Sequence, residues 1–453
     1  MLARAAALLL TFAGAAFGAE RPAYQSQRAN EDWSALADPA LRTQPLDALK
    51  YVPLGGGAYA SFGGSARFRY NEYDVDRFGL GPTRGAKDGV LLQRYLLHAD
   101  IHASDHVRAF FELGHHVAGD SGFPPGPNDI DFWDVSLAFV DVSGEIAGAE
   151  TRLRAGRQHI TLGSSRLVSL RDGPNVRQRF DGARATTAAG ALTFDLFAAR
   201  DVVTGPRDFD DGSEDGDGLW GAYGVWKGSA TNLDLYYLGL DREGAAYTQG
   251  VADERRHSLG ARVWGESGAW DWNWEAVGQL GEFGGDDIRA WTLASITGYT
   301  FDAPGKPRLF LSANIASGDG DPGDGVLETF SPLFPRLPYF EEATFLAPQN
   351  FMNLQPGVEI TPVDAVKLSF DWNFYWRQSE NDAVYSRGLN PLRATEGVSG
   401  FFVTHAPSVN LEWAIAQNVE LTASYTHFFA GEVIKNAGGE DSDFVMSAIT
   451  VQF

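Results

Sequence analysis

The sequence predicts an all-β protein: one membrane-spanning antiparallel β-barrel, read as 18 strands with 16 as the alternative. Two observations predict it. Apolar and polar side chains alternate in segment after segment, and no linker divides the repeating part; the lack of an uninterrupted run of 18 apolar residues beyond the N-terminus would, taken alone, say soluble, and the strand pattern overrides it. Residues 365–378 show the pattern best. One row reads Val366, Leu368, Phe370, Trp372, Phe374, Trp376, and the other Lys367, Ser369, Asp371, Asn373, Tyr375, Arg377. A period of two is the pleat of a strand with one dry and one wet face. Hydrocarbon around the dry face forbids free sheet edges, because each unpaired backbone group there costs several kcal/mol. The sheet must therefore close.

The elements follow in chain order. Arg4, the apolar stretch Ala5 to Phe17, and small residues ending at Gly18 before Glu20 read as a signal peptide over residues 1–19. The competing reading is a membrane anchor, for which the run is short. Residues 20–56 carry Trp33, Pro39, Pro45 and Pro53 without periodicity and read as a periplasmic N-terminal lead-in, or a partial plug. The barrel is assigned to residues 57–453. Its strands are placed to start near residues 57, 90, 107, 132, 150, 178, 191, 218, 231, 255, 270, 288, 307, 350, 365, 405, 419 and 443. Ala66, Phe68 and Tyr70 alternate with Arg67 and Arg69; Leu192, Phe194 and Leu196 with Thr193 and Asp195; Trp270, Trp272 and Trp274 with Asp271, Asn273 and Glu275. The last strand puts Ile449, Val451 and Phe453 on one row, which suits pairing with the first.

Composition agrees with a repetitive β wall: 52 Gly, 12 Trp and no Cys in 453 residues. The net charge of -23 argues against nucleic-acid binding, which needs a basic footprint. It does not fix the sign inside a lumen. Connections come in two sizes: short ones such as 228–231 and 416–419, and long polar ones at 201–218, 317–349 and 379–404. Short turns on one rim and long loops on the other are a barrel's habit. The long ones are candidates for lids or for segments folded into the pore. Two are acidic, DFDDGSEDGD at 208–217 and SGDGDPGDG at 317–325. They read as solvated loops, with low-affinity calcium as the alternative cofactor reading. His115 and His116 are adjacent and face opposite ways on a strand, so they make no metal pair, and no other metal site is assigned. No nucleophile turn, phosphate loop or dinucleotide fingerprint is present, and no catalytic residue is assigned.

The basic residues concentrate at 152–184, where eight arginines meet only Asp172 and Asp181, a net of +6. An arginine directed into hydrocarbon at mid-depth costs roughly 2–4 kcal/mol, so the arginine row should face the lumen. Guanidinium groups stay charged and bind carboxylates in bidentate fashion. The expected pore-lining or substrate-contacting residues are Arg67, Arg69, Arg94, Arg108, Arg152, Arg154, Arg157, Arg166, Arg171, Arg177, Arg262 and Arg377. Two readings stand side by side: contact with anionic cargo, or bracing against luminal carboxylates such as Glu112, Asp134, Asp195, Asp234 and Glu275.

The segment Arg154-Ala155-Gly156-Arg157-Gln158, with Gly163, Arg166, Pro174, Asn175 and Phe180-Asp181-Gly182, resembles the alginate-export family of outer-membrane porins. So do ANIASGDGDPGDGVLETFSPLFP at 313–335 and HAPSVNLEW at 405–413 with the strand ending Tyr425 to Gly431. The resemblance covers most of the chain after residue 57. It implies an 18-stranded monomeric barrel in the Gram-negative outer membrane, contacting lipid and lipopolysaccharide, with an arginine-lined constriction and inward-folded segments. Arg154 and Arg157 are the residues carried over most directly, then Arg166, Arg171 and Arg177. The expected function is passive transport of anionic saccharides or organic acids. The alternatives are a general polar-solute porin with its arginines paired, a plugged receptor, or a barrel enzyme.

Overall fold

The computed structural model describes residues 21–81, 88–119, 125–213 and 215–453. The expected signal peptide lies outside the described residues. Eighteen long strands build the wall: β1 (Ala58–Tyr73), β2 (Asp88–His102), β3 (Val107–Ala118), β4 (Asp131–Ile146), β5 (Ala149–Gln158), β6 (Phe180–Ala189), β7 (Leu192–Val203), β8 (Gly218–Lys227), β9 (Thr231–Tyr247), β10 (Gly250–Ser267), β11 (Trp270–Phe283), β12 (Asp286–Thr300), β13 (Arg308–Ala316), β14 (Phe351–Val363), β15 (Val366–Trp376), β16 (Phe402–Ala416), β17 (Val419–Ala430) and β18 (Ser442–Gln452). Each pairs antiparallel with its chain neighbours, and β18 closes on β1 from Ser65↔Gln452 to Tyr73↔Phe444. No described helix is long and apolar enough to cross a membrane; the strands cross it.

Every strand begins within five residues of its expected start. The largest difference is β10, which begins at Gly250 rather than near 255. There β9 and β10 run on as a hairpin whose residues Ala252 to Arg255 do not alternate dry with wet, so the sequence cue for a strand is missing.

The rows face as the alternation requires. Phe68, Phe370, Trp270, Trp274, Leu192 and Leu196 are exposed on the outer wall. Their neighbours Arg67, Asp371, Glu275 and Asp195 are buried inside. Both ends of the barrel, at Ala58 and Gln452, lie on the rim that carries the short turns. The opposite rim carries the long connections, together with two tight hairpins at 247–250 and 283–286.

Among the described residues, two long connections meet one another inside the lumen. Residues 159–179, between β5 and β6, meet residues 317–350, between β13 and β14, through Phe334 N→Leu167 O at 2.8 Å and Ser169 N→Phe334 O at 2.9 Å. Arg336 N→Ser165 O (2.8 Å) and Gly173 N→Leu337 O (2.9 Å) extend the contact. Leu162, Leu167, Val168, Leu333 and Phe334 pack against wall residues Phe197, Leu238 and Leu240. A second cluster joins Phe78, Phe345, Leu346, Tyr375, Phe428 and Phe444. The upper lumen therefore holds an apolar core inside a largely polar wall. Residues 21–51 form short turns inside the opposite mouth, where Ala29 packs on Phe110, Leu137 and Phe139.

Candidate functional site: an arginine-lined lumen

The luminal row runs across the first strands. Arg67 on β1 and Arg94 on β2 stand directly opposite one another in the ladder. Arg108 on β3, Arg152 and Arg154 on β5, and Arg184 on β6 continue it. Alternation puts each on the wet face, and the partners differ from strand to strand.

Around Asp172, carried by the inward segment 159–179, three arginines converge. Arg94 Nη2 lies 2.8 Å and Arg177 Nε 2.7 Å from Asp172 Oδ1. Arg67 takes no carboxylate; it donates to the carbonyls of Asp172, Gly173 and Pro174 at 2.7, 3.2 and 2.9 Å. Asp172 keeps 47% of its side chain exposed, while Arg94 beside it is buried, so the carboxylate is the open face of the cluster. Three guanidiniums on one carboxylate leave a local net charge of +2.

Towards the short-turn rim each arginine has its own principal carboxylate, with Arg108 also 3.6 Å from Asp141. Arg108 binds Asp100 in bidentate fashion at 2.6 and 2.8 Å, and Arg154 binds Asp141 at 2.7 Å through both contacts. Arg154 also lies 3.7 Å above the Phe139 ring. Arg184 meets Asp195 at 2.8 Å. Arg152 makes no hydrogen bond or ion pair among the described residues, although Arg154, Asp141 and Arg184 are its nearest charges.

The remaining expected site residues fall into three groups. Arg69 (Glu342, 3.0 Å), Arg166 (Glu275, 2.8 Å) and Arg262 (Asp234, 2.8 Å) are braced by carboxylates. Arg171 and Arg377 are spent on loop carbonyls: Arg171 on Pro335 O at 3.2 Å, and Arg377, fully buried, on Gly400 O at 2.6 Å and on Val398 O. Arg157 leaves the row. Its register partners are Ala138 and Asp181, on the face alternate to Arg152 and Arg154, and it binds Asp181 at 2.9 and 3.0 Å. Of the named bracing acids, Asp195, Asp234 and Glu275 each hold an arginine. Asp134 stands 3.8 Å from Arg157, and Glu112 has no ion pair among the described residues.

Several functional groups were not singled out from sequence. Arg308 binds Asp271 at 2.7 Å and Glu359 at 3.2 Å, and Lys367 meets Glu359 at 3.2 Å. Strand parity could have found both basic residues. Arg256, fully buried, binds Glu254 at 3.0 Å and Gln279 at 2.9 Å; it too was open to a parity reading. The role of Asp172 had no sequence signal, because it depends on how the inward segment folds.

Of the acidic loops, 208–217 brings Asp211 to Asp131 and Asp134, with a ligand atom of each within 4.8 Å of the others. Three carboxylates so placed can hold a metal ion. Arg179 already lies 2.6 Å from Asp211 and 3.4 Å from Asp131. Burial lifts the Asp211 carboxyl above its usual value, against the pull of Arg179. In the loop at 317–325, burial followed by repulsion from Asp382 lifts Asp319 to about 7. His115 stacks on Trp133, while His116 turns inward beside Asp131 at 3.4 Å, on opposite faces as their adjacency requires.

A closed 18-stranded wall with a dry outside and a charged inside defines an outer-membrane porin. The family model described as alginate export matches residues 58–447, and the chain belongs to that family. Its place is the outer membrane, and its work is transport rather than catalysis. Solved Pseudomonas aeruginosa structures share the fold. OccK5 (OpdH) is 12% identical with a TM-score of 0.56, over 87% of this chain and 98% of that one. OpdK with vanillate is 11% identical with a TM-score of 0.57, over the same shares. OpdQ is 12% identical with a TM-score of 0.58, over 87% and 97%. A comparison with curated proteins finds no match.

Proposed function

We propose that the barrel passes anionic saccharides or organic acids down their gradient, using the arginines around Asp172 and the unpaired Arg152 as successive weak sites. The observation that carries this reading is the surplus of cation over anion along one wall. Arg94 and Arg177 share one carboxylate, Arg67 beside them binds only carbonyls, and Arg152 has none. Passage requires sites that attract and release, and half-satisfied guanidiniums suit that better than locked pairs. Arg69, Arg108, Arg154, Arg166 and Arg262 act as braces that hold the wall's charges in place. Arg171 holds the inward segments, Arg377 holds the connection between β15 and β16, and Arg157 acts at the rim. A single barrel closes without a partner, so the working unit is a monomer in lipid and lipopolysaccharide, with the short-turn rim in the periplasm.

Reversal potentials across a planar bilayer test it. Anion preference, with block by uronate oligomers or small organic acids, is expected. Cation preference without such block would sink it. A general polar-solute porin is the second reading, favoured by the pairs Arg108–Asp100 and Arg154–Asp141. It expects weak selectivity and no block.

Calcium is the ion that the oxygen donors of Asp131, Asp134 and Asp211 suit. Calorimetric titration of the folded barrel should show weak calcium uptake that Asp134→Asn removes; heat unchanged by that substitution would refute it.

A further inference from the structure

We infer that residues Arg21–Lys50 are a built-in plug of the periplasmic mouth, seated on the wall by side chains and removable without opening the barrel. The inference rests on the channel reading.

The segment lies against the inner faces of β1 to β4. Trp33 and Leu36 are buried, and Ala29 packs on Phe110, Leu137 and Phe139 from the wall. Its polar attachments are mostly side chains donating to carbonyls, with one side-chain pair, Gln44 to Gln417 at 3.3 Å. Arg28 donates to Gly64 O at 2.8 Å and to Phe453 O at 2.9 Å, beside the β1–β18 seam. Lys50 Nζ donates to Phe62 O at 3.0 Å, and Ser61 Oγ donates to Lys50 O. From the wall, Arg108 Nη2 donates to Ala29 O at 2.7 Å. Gly63 leaves room for the lysine: a Cβ there would stand 2.5 Å from Lys50 Nζ.

The contrast with the wall is what makes the segment separable. Every barrel strand is held by a continuous backbone ladder. Residues 21–51 contribute to none; only Val52–Gly55 pairs with β1. Releasing the segment would therefore break side-chain contacts and leave the ladder whole. The segment also covers part of the luminal row, because the Arg108 guanidinium is divided between Asp100 and the Ala29 carbonyl. Its own charge balances, with Arg21, Arg28, Arg42 and Lys50 against Glu31, Asp32, Asp38 and Asp47. A neutral plug narrows the mouth without setting its sign.

The experiment is single-channel recording of the full chain against Trp33→Ala/Leu36→Asp, which places a charge among the segment's own buried residues. Heat-modifiable gel migration verifies the folded barrel. Unitary conductance should rise about twofold or more as the mouth widens, with ion preference keeping its sign. In that background a cysteine pair at Ala29 and Phe110 should return conductance to the parent level when oxidised and release it when reduced. Should the double substitution fail to insert, Arg28→Gln decides. It removes two bonds to carbonyls, keeps the apolar contacts and should add brief larger openings. A folded variant with parental conductance and no new openings overturns the plug while leaving the channel reading intact. Silence from the parent and the variants alike overturns both.

Discussion

Two walls of the lumen solve the same problem differently. From β1 to β6 the wet face is built from arginines and aspartates. From β13 to β17 it is mostly amides and hydroxyls. Asn314 donates to Asn353 at 2.7 Å, and Asn353 donates to Asn373 at 2.8 Å. Ser424 donates to Asn410 at 2.7 Å, and Ser408 shares a 2.8 Å bond with Thr426. A neutral ladder satisfies the wet face with partners one strand away and leaves no field. A charged row satisfies it too, and any mismatch in its pairing projects into the pore. The mismatch sits where a loop supplies the counter-charge, at Asp172, and where no carboxylate reaches, at Arg152. On the proposed reading, function on this wall is the residue of incomplete bracing.

The comparison breaks most directly at Asp172. Asp172→Asn leaves Arg67 and Arg94 their bonds to the Asp172 carbonyl but removes the carboxylate that Arg94 shares with Arg177. A unit charge ~10 Å from the path at an effective dielectric near 20 is worth ~1.7 kcal/mol, so anion-over-cation permeability should rise on the order of tenfold. In 1 M salt, where the screening length is about 3 Å, the gain should shrink. Reversal potentials at low and high salt check both; an unchanged ratio would mean that the cluster does not face the permeating ions. Arg152→Gln should act the other way and more weakly, by roughly threefold, because a single half-buried cation is lost.

The neutral wall gives the control. Asn353→Leu removes the middle of the Asn314–Asn353–Asn373 chain and leaves buried partners unmatched, which costs about 1–3 kcal/mol. Denaturant unfolding in detergent or lipid should register that loss, while ion preference stays at the parental value. A change in preference would show that the amide wall, too, acts on passing charge.

The difference between the walls also marks how far sequence alone reaches. Alternation fixed the wall, because lipid demands it: Trp270 and Trp274 could only face out, and Glu275 and Gln279 could only face in. Parity likewise put Arg67, Arg69, Arg94, Arg108, Arg152 and Arg154 inside. Arg157, expected inside from the family resemblance and not from parity, follows Gly156 at the strand end and binds Asp181 on the alternate face. Asp172 and the seating of Arg28 and Lys50 were beyond parity. Both depend on segments without a ladder, whose path is set by contacts far apart in the chain, 105 residues for Arg67 with Asp172 and 425 for Arg28 with Phe453.

The smallest expected effect concerns the neutral segment that lies across the charged wall. Burial, then the neighbouring Arg28, pulls the Lys50 amine down to about 8, with Arg21 adding to the shift and Glu31 and Asp47 opposing it. Tyr24, Trp33 and Phe453 present ring faces to it, and His98 lines the same place at Gly63. The released lysine would titrate near its usual 10.5. Between these values the released state holds more protons than the seated one, so seating strengthens as pH rises from about 8 towards 10.5 and gains nothing further above. Below about 8 both states carry the proton, and the balance is flat with respect to this group. Conductance should therefore drift down over that alkaline window in the parent, and Lys50→Met should abolish the drift. A parent whose conductance is level from pH 7 to 10.5, with the variant identical, would show that Lys50 stays wet and the seat is looser than its contacts imply.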